Sequence, residues 1–235
     1  MPQPKNALIV VAKQPAPGQT KTRLSPPLTP EQASILYESF LFDTLDQMRN
    51  VDEARHVIAY LPLNARDYFH RFASDFELVP QNGHDLGSRL DHALTDYLSQ
   101  GCERVVIMDS DSPTLPSVYL SQAFNALADG ADVALGPCDD GGYYLIGIKK
   151  PAPRLLREVQ MSTPTVATDT IALAEEEGLR VSLLPTWYDV DDAASLIRLM
   201  KEVEKLNANI ATYTRRFLEQ DSIRHLLSKH TPLVE

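Results

Sequence analysis

Two carboxylates, Asp109 and Asp111, stand two residues apart directly after the apolar run Val105, Val106, Ile107 and Met108. Four apolar residues rich in β-branching that stop at turn formers read as a strand buried on both faces. In open α/β sheets, ligands bind beyond the carboxyl ends of strands, which is where these acids fall. Hard oxygen donors with Ser110 between them suit Mg²⁺ or Mn²⁺ better than zinc, so the expectation is a divalent-metal site that holds a nucleotide diphosphate. The same residue types are also ordinary turn and N-cap formers, so the pair alone is a weak signal.

Two further stretches strengthen it. After the apolar run of residues 7–12 comes K-Q-P-A-P-G-Q-T-K-T-R-L, with Lys13, Lys21 and Arg23 gathered around Gly18 in an otherwise acidic chain. Gly18 allows close backbone approach, Arg23 offers a fork for phosphate oxygens and Lys21 a point charge. The competing reading is a solvated surface loop. Thr20 stands where a P-loop needs glycine before the lysine, and no G-x-G-x-x-G follows the strand. The second stretch is G-P-C-D-D-G-G-Y-Y, where Asp140 is suited to orient or deprotonate an acceptor hydroxyl and Gly141 and Gly142 admit a ligand to the backbone. D-G and G-G also simply make hairpins. Gln81, Asn82, Gly83 and Asp85 offer hydrogen bonds and room for a base or ribose, although Asn-Gly is a turn signal and Asp85 a helix cap. Asp189, Asp191 and Asp192 add three acids, of which Asp191 either approaches the metal or caps the next helix.

The elements that must position these residues alternate. Strands are predicted at 7–12, 56–61, 76–79, 105–108, 131–135, 143–148 and 181–184. Between them fall helices that begin at Thr29 (with Pro30 and Gln32 completing a capping box), near Asp85 and at Pro116 or Ser117. Two more follow Ser162 and Asp191, ending near Gly178 and Glu204. Ala33, Leu36, Tyr37, Phe40, Leu41, Thr44, Leu45 and Met48 recur at helical spacing and read as core. Such alternation argues a mostly parallel sheet with helices on both faces. Residues 1–205 are expected to form this domain, and 206–235 a helical C-terminal extension of it.

With 235 residues and 43% hydrophobic content, one large α/β domain is the natural size. The net charge of −10 speaks against a nucleic-acid partner or an anionic membrane surface. Cys102 and Cys138 read as buried reduced thiols, and the histidines, His84 and His92 among them, as exposed residues without metal-ligand spacing. The apolar run at 7–12 is too short for a signal peptide or a membrane span, so a cytoplasmic location is expected. No G-x-S-x-G elbow supports serine hydrolase chemistry.

Taken together, K-Q-P-A-P-G-Q-T-K-T-R-L (13–24), M-D-S-D-S-P-T-L (108–115), G-P-C-D-D-G-G-Y-Y-L-I-G-I (136–148), S-T-P-T-V (162–166) and W-Y-D-V-D (187–191) resemble the DUF2064 family. The resemblance spans about residues 6–204, and the block around Asp140 is its most specific part. It implies glycosyltransferases of GT-A fold, some linked to arsenosugar biosynthesis. These are similar in turn to the nucleotidyltransferases that make molybdenum guanine dinucleotide and the deazaflavin cofactor precursor. The implied fold is the nucleotide-diphosphosugar transferase fold, a three-layer α/β/α arrangement with a mixed, mostly parallel sheet. By the family pattern Asp111 is the principal metal ligand, with Asp109 and Asp191 beside it. Lys13, Gly18, Lys21, Arg23, Gln81, Asn82, Gly83 and Asp85 fall to the nucleotide and its phosphates, and Gly141, Gly142, Tyr143 and Trp187 to the acceptor or sugar. Lys21, Arg23 and Asp140 are the implied catalytic groups. The family more often has Gly-Thr or Gly-Ser before the second acid; Asp109-Ser110 here makes a fuller D-x-D.

The expectation is therefore a metal-dependent glycosyltransferase that moves a sugar from a nucleoside diphosphate sugar to a small-molecule acceptor. One alternative is a nucleotidyltransferase that joins an NMP from an NTP to a phosphorylated small molecule. Another is a nucleotide-binding protein without catalysis. Neither oligomeric state nor donor base follows from the residues.

Overall fold

In a computed structural model of the chain, residues 4–229 are described. In chain order the elements are β1 (Asn6–Lys13), a 3₁₀ turn (Thr22–Leu24), α1 (Pro30–Arg49), β2 (Ala54–Leu61), α2 (Arg66–His70), β3 (Glu77–Pro80), α3 (Leu86–Ser99), β4 (Arg104–Met108) and α4 (Ser117–Ala128). They continue with β5 (Val133–Pro137), β6 (Tyr143–Ile148), α5 (Arg154–Arg157), α6 (Val166–Glu176), β7 (Val181–Leu183), α7 (Ala193–Val203), α8 (Thr212–Leu218) and α9 (Asp221–Ser228).

The seven strands form one sheet in the order β3-β2-β1-β4-β6-β5-β7. β1 pairs in parallel with β2 and β4, β2 with β3, and β5 with β7; β6 alone runs antiparallel, between β4 and β5. The sheet is thus mixed and mostly parallel, the predicted fold class. Its central strands are apolar on both faces, as sheets covered by helices on both sides require. On one face Ile9, Val57, Val105, Ile107 and Ile146 pack with Leu90 and Leu94 of α3, Leu155 and Leu156 of α5, and Ala167 and Ala174 of α6. α4 covers the other face, where a side chain at Gly147 would meet Val106 and Leu127. No helix among the described residues is long and apolar enough to cross a membrane.

Several local signals are realised as read. Thr29 and Gln32 bond reciprocally at the start of α1 (2.9 and 3.2 Å), and Asp85 caps α3 in a box with Ser88. Cys102 and Cys138 are buried and unbridged. Other boundaries move: β5 starts at Val133 rather than 131, and His92 is half-buried, its Nδ1 held 2.8 Å from the Asn82 carbonyl.

The chain divides into two compact units. The first, Met1–Gln14, Gln47–Asp109 and Pro116–Tyr188, holds the sheet and its helices. The second is assembled from Pro15–Asp46, Ser110–Leu115 and Asp189–Glu235. Within it α7 touches the 3₁₀ turn and α8, and α8 touches α9. α8 has no side-chain cap of its own. Instead the Asp43 carboxylate of α1 accepts the N–H groups of Tyr213 (3.0 Å) and Thr214 (2.8 Å), satisfying donors that a helix start leaves unpaired. Burial, only partly offset by these bonds, pushes the Asp43 carboxyl above its ordinary range.

Candidate functional site

The second unit brings together three residues that lie far apart in the sequence. In the loop after β1, the Thr20 hydroxyl bonds both ways with the main chain of Ala16 (3.2 and 3.3 Å), and Gly18 takes the left-handed backbone that glycine tolerates (φ +70°). Lys21 is left-handed too, at φ 50° and ψ 43°. For a residue with a Cβ this costs roughly 1–2 kcal/mol, so the surrounding contacts must hold it there. The buried Leu24 anchors the 3₁₀ turn that follows.

The result is a lysine that turns inward. Its side chain is 6% exposed, and Nζ lies 2.9 Å from Asp111 Oδ1 and 2.6 Å from Asp191 Oδ1. The Phe40 ring of α1 sits 5.9 Å from the ammonium, within reach of a cation–π attraction. The acids are held in register by backbone: the Asp111 carbonyl accepts the Val190 N–H at 2.9 Å. Ser110, beside Asp111, shares a 2.9 Å hydrogen bond with Tyr37 of α1. Burial alone drives the Lys21 pKa down, but attraction to Asp111, then Asp191, and hydrogen bonds to both outweigh it, so the net shift is upward. The ammonium stays protonated at any physiological pH.

Asp191 is available because its neighbour takes the capping role. The sequence offered Asp191 as the N-cap of α7; the structure gives that place to Asp192, whose carboxylate accepts the Ser195 N–H at 2.9 Å in a complete capping box. Asp191 only donates its N–H to Ser195 Oγ (3.0 Å), which leaves its carboxylate to Lys21. Arg23 lies at the rim, 70% exposed, with guanidinium nitrogens 3.7 Å from Asp191 and 3.9 Å from Asp192.

The remaining predicted residues lie in the first unit. Lys13 ends β1 and is exposed. Asp109 continues the β4–β6 ladder through its N–H to the Tyr144 carbonyl (3.0 Å). The Gln81 amide donates to the carbonyls of Ala59 (2.8 Å) and Ala12 (3.4 Å), Asp85 Oδ1 accepts the Ser88 N–H at 2.7 Å, and Gly83 has φ +140°. Much of this loop's polarity therefore serves its own backbone. Asp140 is exposed, and its Oδ1 accepts the Gly142 N–H at 2.8 Å. Gly141 (φ +89°) passes so close to Pro164 that a Cβ would fall 1.8 Å from its carbonyl oxygen. The Tyr143 hydroxyl lies 3.5 Å from Met161 Sδ, and burial lifts its pKa. Trp187 bridges Cys138 as an added strand residue and stacks edge-on with Tyr119, its indole N–H buried without a partner among the described residues.

Two contributors escaped the sequence reading. Phe40 and Tyr37 counted only as core positions on α1, and helical spacing cannot separate a core aromatic from one beneath a buried cation.

The donor set of the second unit suits a divalent cation. Two carboxylate oxygens from separate segments converge on one buried ammonium, and both carboxylates keep part of their surface open, at 30% and 38% exposure. Oxygen ligands of this type, completed by water and phosphate, are what Mg²⁺ takes.

Comparisons with known proteins bear on the family and the fold. Residues 44–163 match DUF2064, a family of uncharacterized proteins conserved in bacteria. The chain is 29% identical over 206 residues to the 2-phospho-L-lactate guanylyltransferase of Methanothermobacter thermautotrophicus, covering 85% of this chain and 84% of that one. A protein of Desulfovibrio desulfuricans, assigned as a nucleotide-diphospho-sugar transferase, is 30% identical and superimposes with a TM-score of 0.88 over 96% of this chain and 98% of its own. A cytidylyltransferase of Leptospira borgpetersenii shares the fold alone, with a TM-score of 0.55 at 13% identity over 97% and 98% of the two chains. The chain is a transferase of the nucleotidyl- and nucleotide-sugar transferase superfamily and belongs to the DUF2064 family.

Proposed function

We propose that the protein is a nucleotidyltransferase that transfers an NMP from an NTP to the phosphate of a small phosphorylated acid. The Lys21–Asp111–Asp191 cluster, with its buried ammonium, carries this reading, and the 29% identity to a guanylyltransferase over most of both chains supports it over glycosyl transfer. In the reaction an acceptor phosphate oxygen attacks the α-phosphorus, the α–β bridging bond breaks, and pyrophosphate leaves with the negative charge. Lys21 is the charge preorganised for the polyphosphate, and Arg23, exposed at the rim beside Asp191 and Asp192, adds a second cation with a fork for phosphate oxygens. Asp111 and Asp191, with Asp109 by sequence pattern, are the residues that would hold Mg²⁺ or Mn²⁺. That ion, when bound, neutralises the leaving group as a Lewis acid.

A phosphate acceptor arrives already deprotonated, so it needs no general base. The engagement of Asp140 with its own turn fits that requirement better than a base acting on a sugar acceptor's hydroxyl. Assignment of Lys13, Gly18, Gln81, Asn82, Gly83 and Asp85 to the nucleotide, and of Gly141, Gly142, Tyr143 and Trp187 to the acceptor, rests on the sequence pattern.

Glycosyl transfer from a nucleoside diphosphate sugar remains the second reading, favoured by the assignment of the 30% identical Desulfovibrio protein. The deciding experiment offers GTP, CTP, UTP and ATP with phosphorylated hydroxy acids, and UDP- and GDP-sugars in parallel, each with Mg²⁺ or Mn²⁺. Pyrophosphate release that needs the phosphorylated acid is the expected result. Transfer from a nucleotide sugar with no pyrophosphate from any NTP would overturn it.

A further inference from the structure

Lys21 occupies the position a metal would need. Its ammonium contacts one oxygen of Asp111 and one of Asp191 at 2.9 and 2.6 Å, and so fills the gap between the two oxygens that a cation bridging them would have to enter. A dication cannot join both oxygens while the ammonium stays, because two like charges would then share one pair of anions within a few ångströms. Nor can the ammonium leave freely, for it would abandon two carboxylates for a largely buried, apolar surrounding that includes Phe40. It needs another anion to move to.

From this we infer that Lys21 is a place-holding cation: it closes the Asp111–Asp191 seat to free metal and yields it only to a cation that arrives with a polyphosphate. The polyphosphate supplies the new partner for the ammonium, and a lysine stem with four rotatable bonds allows the exchange without moving the backbone. The strained left-handed backbone at Lys21 fits such a device, since it keeps the side chain pointed at the acids in the nucleotide-free protein. The consequence is an order of events. Free Mg²⁺ or Mn²⁺ does not load this seat, and the metal–nucleotide complex is the species that enters it. This inference builds on the nucleotidyl reading, but its test does not.

The test is Mn²⁺ alone, titrated by equilibrium dialysis and by loss of the free Mn²⁺ electron paramagnetic resonance signal. The proteins are wild type, Lys21→Met and Lys21→Met/Asp111→Asn, each checked for native circular dichroism. Lys21→Met should bind Mn²⁺ at least about tenfold more tightly than wild type, and the double variant should lose that gain. Lys21→Met binding no more tightly than wild type would overturn the inference. Should Lys21→Met not fold, wild type decides with and without a non-hydrolysable GTP analogue or inorganic tripolyphosphate: equal Mn²⁺ uptake in both conditions overturns the place-holder, and uptake that needs the anion supports it. A gain in Lys21→Met beside absent NTP turnover in wild type would remove the nucleotidyl reading and keep the place-holder. Turnover without the gain would do the reverse.

Discussion

Two ionic clusters in this protein use similar residues to different ends. In the first unit, Arg55 on β2 makes a bidentate pair with Glu77 on β3 (both 2.8 Å), donates to Gln100 (2.9 Å), and lies over the Tyr97 ring at 4.6 Å, while the Tyr97 hydroxyl returns to Glu77 at 3.0 Å. One cation meets one anion, and the carboxylate accepts from donors on both oxygens. In the second unit, one buried ammonium is shared between two carboxylates whose side chains stay 30% and 38% exposed, and Lys21 itself sits on a strained backbone. The first arrangement is complete within the fold. The second keeps carboxylate surface open to something that binds. A buried cation held between solvent-open acids is a mark of a functional site, whereas a saturated pair serves packing and register.

The largest expected effect tests the solvent-open cluster. Asp111→Asn should lower turnover by about 10²–10³-fold, the usual scale for removing one charge-stabilising group, while its thermal unfolding stays close to that of wild type. Loss of the folded state instead would mean that the cluster is structural like its counterpart, and the contrast would fail.

Arg55→Met should do the opposite: activity retained, and about 1–2 kcal/mol of stability lost in urea unfolding, from the broken bonds and the exposed Tyr97 face. Glu77 gives this prediction a pH signature. Its hydrogen bonds from Arg55, more than offsetting desolvation, hold its carboxyl below the ordinary value of 4.5. A depressed carboxyl contributes stability that is present above its unfolded value and fades as pH falls through the folded one. The stability gap between wild type and Glu77→Gln, less than about 1 kcal/mol because the side chain is 43% exposed, should therefore close on acidification from pH 7 to below the folded value. A gap that is constant over that range would break the assignment.

The smallest effect separates two adjacent acids. Asp192→Ala removes the α7 cap and should cost about 1 kcal/mol of stability with activity largely kept. Asp191→Asn should keep the helix and lose activity. Equal activity losses in both would erase the distinction between cap and site.

Much of this architecture was legible in the chain. The runs around Ile9, Ile58, Ile107 and Ile146 announce strands because both faces of a covered sheet are apolar, and Thr29, Pro30 and Gln32 announce α1 because a helix start must satisfy its own N–H groups locally. Asp85 was readable as a cap for the same reason. Such signals are local, carried by neighbours within a few residues, and they survive without any tertiary context.

What only the tertiary structure decided is non-local. Whether Asp191 or Asp192 caps α7 turns on which carboxylate the fold can pair elsewhere, and Lys21, 170 residues away, claims Asp191. The D-G-G turn makes the β5–β6 hairpin locally, but the seat of β6 beside β4 is decided by long-range pairing, because its apolar run carries no sign of that second neighbour. The inward turn of Lys21 is likewise invisible in a loop that looks solvated, since its pairing depends on charges delivered by chain segments that only folding brings together. Local residue patterns determined the elements and the kinds of chemistry available; long-range pairing of charge and backbone determined which of those residues meet.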